Sequence, residues 1–233
     1  SFIGASALAA TQRADPRPLE VNVIGSQWNW RFEYPEAGVI SNELVLPVNK
    51  QALLRLRSMD VIHSFWVPEF RVKQDLLPGD ERMIRELRVT PSLEGNYKVR
   101  CAEMCGRLHS AMEAPVIVLS QAEFDAWIVE QQTTIPSDPI ARGQRWAQQY
   151  GCLACHSVDG TVLVGPTWKG LIGKEVVLED GTTFIGDEAY VRESILQPNA
   201  KIVKGFQPLM PNLADQMTEE QIAEIIEYIK SLK

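Results

Sequence analysis

The chain contains three histidines and four cysteines, and all seven fall into two groups. His63, Cys101, Cys105 and His109 form the first; Cys152, Cys155 and His156 form the second. No cysteine remains for a disulfide framework and no histidine for a catalytic dyad, so the fold has to bring each group together around a metal. The second group reads Cys152-Leu153-Ala154-Cys155-His156. This is the attachment signature of a c-type haem, with two thioethers to the porphyrin and the next histidine on iron.

The first group lies in the loop Cys101-Ala102-Glu103-Met104-Cys105-Gly106-Arg107-Leu108-His109-Ser110-Ala111-Met112, with His63 arriving from a separate segment. Thiolate, imidazole and a weak thioether make a copper electron-transfer set, and a second cysteine allows two coppers bridged by both sulfurs. Zinc is the alternative, because two cysteines and two histidines also build a tetrahedral structural site. Met112 favours copper, since zinc has little use for a thioether. Met104, between the cysteines, is expected to be a packing residue.

With 233 residues, 45% hydrophobic and 23% charged, the chain suits one large or two ordinary globular domains. Its net charge of −7 and lack of a basic stripe argue against a nucleic-acid partner. No stretch reaches the roughly 20 apolar residues of a membrane helix. The apolar run at residues 2–10 reads either as the stub of a longer helix or as a soft terminus.

Short apolar runs at 20–24, 44–48, 53–57, 83–90, 97–101 and 115–119, bounded by Gly, Pro, Asn and Asp, predict an antiparallel β sandwich or barrel. Alternation through Tyr97, Val99 and Cys101 carries a ligand toward the interior from a strand end. A short helix is expected over 121–132. The turn-rich segment 133–139 then reads as a flexible linker between a first domain at 1–132 and a second at 140–233. In the second domain helices are expected over 140–150 and 187–197, with a hairpin at Asp180-Gly181. The last helix is capped by Thr218 and Gln221 and carries the stripe Ile222, Ile225, Ile226 and Ile229.

The copper loop, with Gly25-Ser26-Gln27-Trp28-Asn29-Trp30-Arg31-Phe32-Glu33-Tyr34, Asp60-Val61-Ile62-His63-Ser64-Phe65-Trp66-Val67-Pro68 and Lys73-Gln74-Asp75-Leu76-Leu77-Pro78-Gly79, resembles subunit II of cytochrome c oxidase. That resemblance implies an all-β cupredoxin-like sandwich holding the dinuclear copper A centre. His63, Cys101, Cys105, His109 and Met112 would be its side-chain ligands, and Glu103 a ligand through its carbonyl. The Glu103 carboxylate would reach a magnesium ion shared with subunit I. Trp28 matches the family's exposed aromatic entry point for electrons, although the family's Trp-Tyr-Trp is Trp28-Asn29-Trp30 here.

The second domain resembles an all-α class I cytochrome c. The resemblance implies one covalent haem c on Cys152, Cys155 and His156, a Pro166 carbonyl receiving the other nitrogen of His156, and Met210 as the second axial ligand. Tyr228 would pack the last helix against the first. Met217 is the rival axial residue, but it precedes Thr218 at the spacing of a hydrophobic staple to Ile222.

The combination implies the electron-input portion of a bacterial haem-copper oxidase. An external one-electron donor would reduce haem c, which would pass electrons to copper A and then to subunit I. The expected location is the extracytoplasmic face of a membrane, reached through an N-terminal region absent from this sequence. The alternatives are the input arm of a nitrous oxide or nitric oxide reductase, or a free redox carrier.

Overall fold

The computed structural model describes residues 14–214 and 216–233. The apolar run at 2–10 lies outside them. The chain divides into two compact units, Ser1–Thr133 and Thr134–Lys233.

The first unit has ten strands: β1 (Leu19–Ser26), β2 (Asn29–Tyr34), β3 (Val39–Ser41), β4 (Leu44–Pro47), β5 (Ala52–Ser58), β6 (His63–Val67), β7 (Val72–Leu76), β8 (Arg85–Val89), β9 (Gly95–Cys101) and β10 (Glu113–Leu119). They form two five-stranded sheets, ordered β3-β2-β1-β5-β8 and β4-β10-β9-β6-β7. The expected purely antiparallel pairing needs correction: β1 runs parallel to β5, and β10 runs parallel to β4. Such pairs need crossover connections rather than hairpins, so the local turn signals in the sequence cannot show them. Residues 83–84, included in the expected strand at 83–90, precede β8, and Met83 closes a single 3₁₀ turn capped by Asp80.

The sandwich core is built from residues such as Val21, Val23, Trp30, Phe32, Leu54, Leu56, Phe65 and Val99, all no more than 1% exposed. Trp30 meets Phe65 edge to face at 6.0 Å and lies 6.4 Å from the His63 ring at a similarly steep angle. The ligand-bearing end of β6 is thus packed directly on the core. Helix α1 (Gln121–Thr133) closes the unit. Ser120 and Glu123 cap it reciprocally, Phe124 is buried, and Trp127 packs on Tyr34 at 5.1 Å.

In the second unit α2 (Pro139–Gln149) crosses α4 (Glu219–Ser231) at Gly143. A Cβ on that glycine would stand 1.9 Å from the Glu224 carbonyl oxygen, so only glycine permits this approach. The buried Glu224 carboxylate receives Arg142 Nε at 2.5 Å and Trp146 Nε1 at 2.7 Å. Burying a carboxylate without such donors would be costly. Thr218 and Gln221 form the expected capping box, and Ile222, Ile225, Ile226 and Ile229 are buried. The hairpin β11 (Glu175–Val177) and β12 (Thr183–Ile185) packs with α3 (Glu188–Leu196) around Val176, Leu178 and Tyr190.

The expectation of a freely flexible linker also needs correction. Arg145 Nη1 donates to the Thr134 carbonyl at 2.5 Å, and Arg142 Nη1 donates to those of Pro136 at 3.3 Å and Ser137 at 2.7 Å. Asp138 caps α2 through the Ala141 amide. Residues 134–138 are therefore strapped to the second unit, and α1 extends the first unit as far as Thr133.

Candidate metal centres

Cys101 ends β9, where the alternation that buries Val99 turns the thiol inward. His63 begins β6, which pairs with β9 through Phe65 and Cys101. Two strand ends therefore set the first imidazole and the first sulfur. Cys105, His109 and Met112 follow on the returning loop, which a 3₁₀ turn at His109–Ala111 folds back into β10.

The two sulfurs are 3.6 Å apart, far beyond the roughly 2.05 Å of a disulfide. His63 Nδ1 lies 3.9 Å from Cys101 Sγ, and His109 Nδ1 lies 3.5 Å from Cys105 Sγ. Met112 Sδ is 3.8 Å from Cys105 Sγ, and the Glu103 carbonyl oxygen is 3.3 Å from Cys101 Sγ. The ligand atoms of His63, Cys101 and Cys105 all lie within 4.8 Å of one another. Every one of the six expected donors faces a cluster sulfur or is one. Glu103 turns its side chain outward, where it is exposed.

Burial by itself pushes the Cys101 thiol up, but its contacts with the His63 ring, the Glu103 and Ser64 backbone and Cys105 together bring it down to about 6. Burial and the neighbouring Cys101 push Cys105 up to about 12. Two sulfurs this close cannot both carry charge until cations stand beside them, which is the electrostatic case for metal. Each imidazole faces a different sulfur, an arrangement that fits two bridged ions better than one. The set is soft on the sulfur side and borderline on the nitrogen side, as copper prefers.

The loop's outer face is closed by the turn joining β1 to β2. Gln27 Nε2 and the Trp28 indole N–H both donate to the Cys105 carbonyl, at 2.7 Å and 3.0 Å. Gly106, at φ +114°, allows this, because a Cβ there would stand 2.9 Å from Gln27 Nε2. Trp28 was expected to be an exposed ring; it is 8% exposed, its edge drawn inward by the bond to Cys105. Met104 reverses its expectation as a packing residue and is 74% exposed.

In the second unit Gly151, at φ +74°, ends α2 and starts the single turn Cys152–Ala154. The His156 amide bonds the Cys152 carbonyl, and the Gly165 amide bonds the Cys155 carbonyl, closing a loop around the motif. His156 Nδ1 lies 2.7 Å from the Pro166 carbonyl, which only accepts, so Nδ1 carries the proton and Nε2 keeps its lone pair. Burial holds the histidine's pKa below its ordinary value, keeping the ring neutral, as a ligand requires. Gly165 leaves room for the ring: a Cβ would come within 2.7 Å of it. These residues fit a haem attached through Cys152 and Cys155 with His156 on iron.

Trp168 was not foreseen. It stacks on His156 at 5.1 Å and meets Tyr228 of α4 at 6.4 Å, so the last helix supports the histidine through an aromatic relay. Its position two residues after Pro166 was the available signal. Met210 is half-buried on an irregular segment, whereas Met217 is buried beside the cap of α4, whose Ile222 is also buried.

A paired-sulfur cluster on a cupredoxin-like sandwich, joined to a helical unit with a haem-attachment motif, defines a protein of one-electron transfer. Residues 39–121 match the family described as cytochrome c oxidase subunit II, periplasmic domain, and residues 140–233 match cytochrome c. Two segments of the chain therefore match a subunit II periplasmic domain and a cytochrome c domain, families that imply copper A and a haem respectively.

The chain is 31% identical over 235 residues to cytochrome c oxidase subunit 2 of Alkalihalophilus pseudofirmus, covering 94% of this chain and 64% of the relative. Against the subunit 2 of Bacillus sp. strain PS3 it is 29% identical, covering 95% and 64%. Against that of Thermostichus vulcanus it is 44% identical over 126 residues, covering 53% and 37%. The chain thus spans 37% to 64% of the length of these curated relatives. Among the described residues no helix is long and apolar enough to cross a membrane.

Proposed function

We propose that this chain is the electron-input portion of a cytochrome c oxidase, facing the extracytoplasmic side of a membrane. The observation that carries the reading is the pair of sulfurs 3.6 Å apart with one imidazole Nδ1 turned to each. In this reading His63, Cys101, Cys105, His109, Met112 and the Glu103 carbonyl hold two coppers. Cys152 and Cys155 would bind one haem covalently, and His156 and Met210 would ligate its iron. The exposed Glu103 carboxylate is the candidate magnesium ligand toward subunit I. When bound, these groups supply one-electron exchange in the order external donor, haem c, copper A, subunit I.

The chain's own residues determine how well that exchange runs. Strand ends and buried rings place the six donor groups, and a centre held by them would change shape little on gaining or losing an electron, which would lower the reorganisation cost. Burial of His63 and Met112, both 0% exposed, keeps water from the sulfurs. The Pro166 carbonyl and Trp168 fix the His156 ring in the ligating tautomer and orientation. Trp28, in edge contact with the Cys105 carbonyl, remains the candidate entry point, now through a ring edge rather than an exposed face.

The test uses the assembled oxidase containing the full-length protein and a reduced soluble one-electron donor. Oxygen consumption should be lost in Cys105→Ser and in the Cys152→Ala, Cys155→Ala double variant. Turnover unchanged in Cys105→Ser overturns the reading. Reduction of nitrous oxide or nitric oxide in place of oxygen would reassign the arm to that reductase.

A further inference from the structure

We propose that Asp60 is the positioning residue of the copper site, holding His63 in its ligating orientation and the Gln27–Trp28 turn against the cysteine loop. The proposal rests on the reading of the sulfur cluster as a copper centre. It concerns a residue that supplies no ligand atom.

Asp60 lies three residues before His63, in the turn between β5 and β6. One carboxylate oxygen, Oδ1, accepts from His63 Nε2 at 2.8 Å, from the Val61 amide at 2.6 Å and from Ser58 Oγ at 3.5 Å. The other, Oδ2, accepts from the Gln27 amide at 2.7 Å. An aspartate oxygen in this position accepts, so His63 Nε2 donates to it. Holding Nε2 on Asp60 turns the other ring nitrogen, Nδ1, toward Cys101. His63 is fully buried, so among the described residues nothing in solvent can substitute for this acceptor.

The second oxygen acts on a different part of the site. Gln27 and Trp28 both donate to the Cys105 carbonyl, so the amide held by Asp60 anchors the turn that closes the cysteine loop. One side chain thus connects the two ligand sources, His63 from β6 and Cys105 from the loop after β9. The carboxyl side chain is only 15% exposed, so its interactions are spent inward rather than on a surface partner. Gly25 completes the arrangement: its amide oxygen receives the Met59 amide at 3.0 Å, and a Cβ there would stand 3.2 Å from the His63 ring.

The test compares the full chain with Asp60→Ala, Asp60→Asn and Gln27→Ala. Asparagine keeps one acceptor oxygen but presents an amide N–H₂ to the other donors, so it can satisfy one arm and not both. Nitrogen-15 NMR of the copper-free protein should show His63 as a single Nε2-protonated ring in the parent. Asp60→Ala should give mixed or Nδ1-protonated His63 and faster exchange of the Trp28 indole proton. Copper affinity should fall about 10–100-fold in Asp60→Ala, as for other residues that orient a ligand, with partial recovery in Asp60→Asn.

Gln27→Ala should speed Trp28 exchange while leaving the His63 tautomer alone. If Asp60→Ala does not fold, Asp60→Asn decides: it should fold, exchange the Trp28 proton faster and bind copper less tightly than the parent. An unchanged His63 ring, Trp28 exchange and copper affinity in the folded Asp60 variants overturns the proposal. Failure of the parent to bind copper overturns the copper reading instead, and the copper-free NMR comparison still decides Asp60.

Discussion

Replacing Gly143 by alanine tests the helix crossing that supports the haem motif. The new methyl group would stand 1.9 Å from the Glu224 carbonyl oxygen, 2.5 Å from its carbon and 2.9 Å from Tyr228 Cβ. Two of these are backbone atoms of α4, which cannot rotate aside. Ordinary contact begins at 3.4 Å, so α2 and α4 have to separate locally by about 1.5 Å. Overpacking of a core costs about 1–3 kcal/mol, and rigid backbone on both sides places this case at about 3 kcal/mol. For a unit of this size each kcal/mol lowers Tm by about 4–8 °C, so a fall of about 12–24 °C is expected. Melting the full chain while following haem absorption reads the second unit, and copper absorption reads the first. A fall of less than about 4 °C, or an equal fall in both signals, would refute the close crossing and its confinement to one unit.

Three further outcomes are expected. Gly106→Ala places a side chain at φ +114° and against Gln27, so it should cost about 1–3 kcal/mol and loosen copper retention, measured by dialysis against a chelator. Arg142→Met leaves the buried Glu224 with Trp146 as its remaining described donor and releases the carbonyls of Pro136 and Ser137. Because the Arg142 side chain is 24% exposed, the expected loss is about 2 kcal/mol rather than that of a fully buried pair, with faster proteolytic cleavage at residues 134–138. Met210→Leu should lower the haem potential and open iron to added imidazole, whereas Met217→Leu should reduce Tm alone; an exchange of the two phenotypes would reassign the axial ligand.

The candidate metal ligands are legible as candidates because their chemistry depends on residue type and spacing, which a sequence states directly. The capping box of α4 and its isoleucine stripe were equally local. Strands β2 and β6 were harder to recognise as strands. In β2 the aromatic residues alternate with Arg31 and Glu33, and the buried Arg31 pairs with Glu33. The parallel pairings β1–β5 and β4–β10 join segments whose association leaves no mark on either one.

The exposed Trp28 is an expectation of the resemblance, and nothing in its own segment reveals the Cys105 carbonyl, 77 residues away, that draws it in. The linker read as free because its polar, proline-rich composition is that of a tether, while the arginines that strap it lie in the following helix. Asp60 went unremarked because an aspartate in a turn is ordinary; its importance comes from four donors, one of them from another part of the chain.

The most direct test of the account is metal analysis of the purified full chain combined with electron paramagnetic resonance of its oxidised form. Two coppers per chain, one haem, and an unpaired electron shared between two copper nuclei are the predicted result. One zinc per chain, or an electron confined to a single copper nucleus, would contradict it.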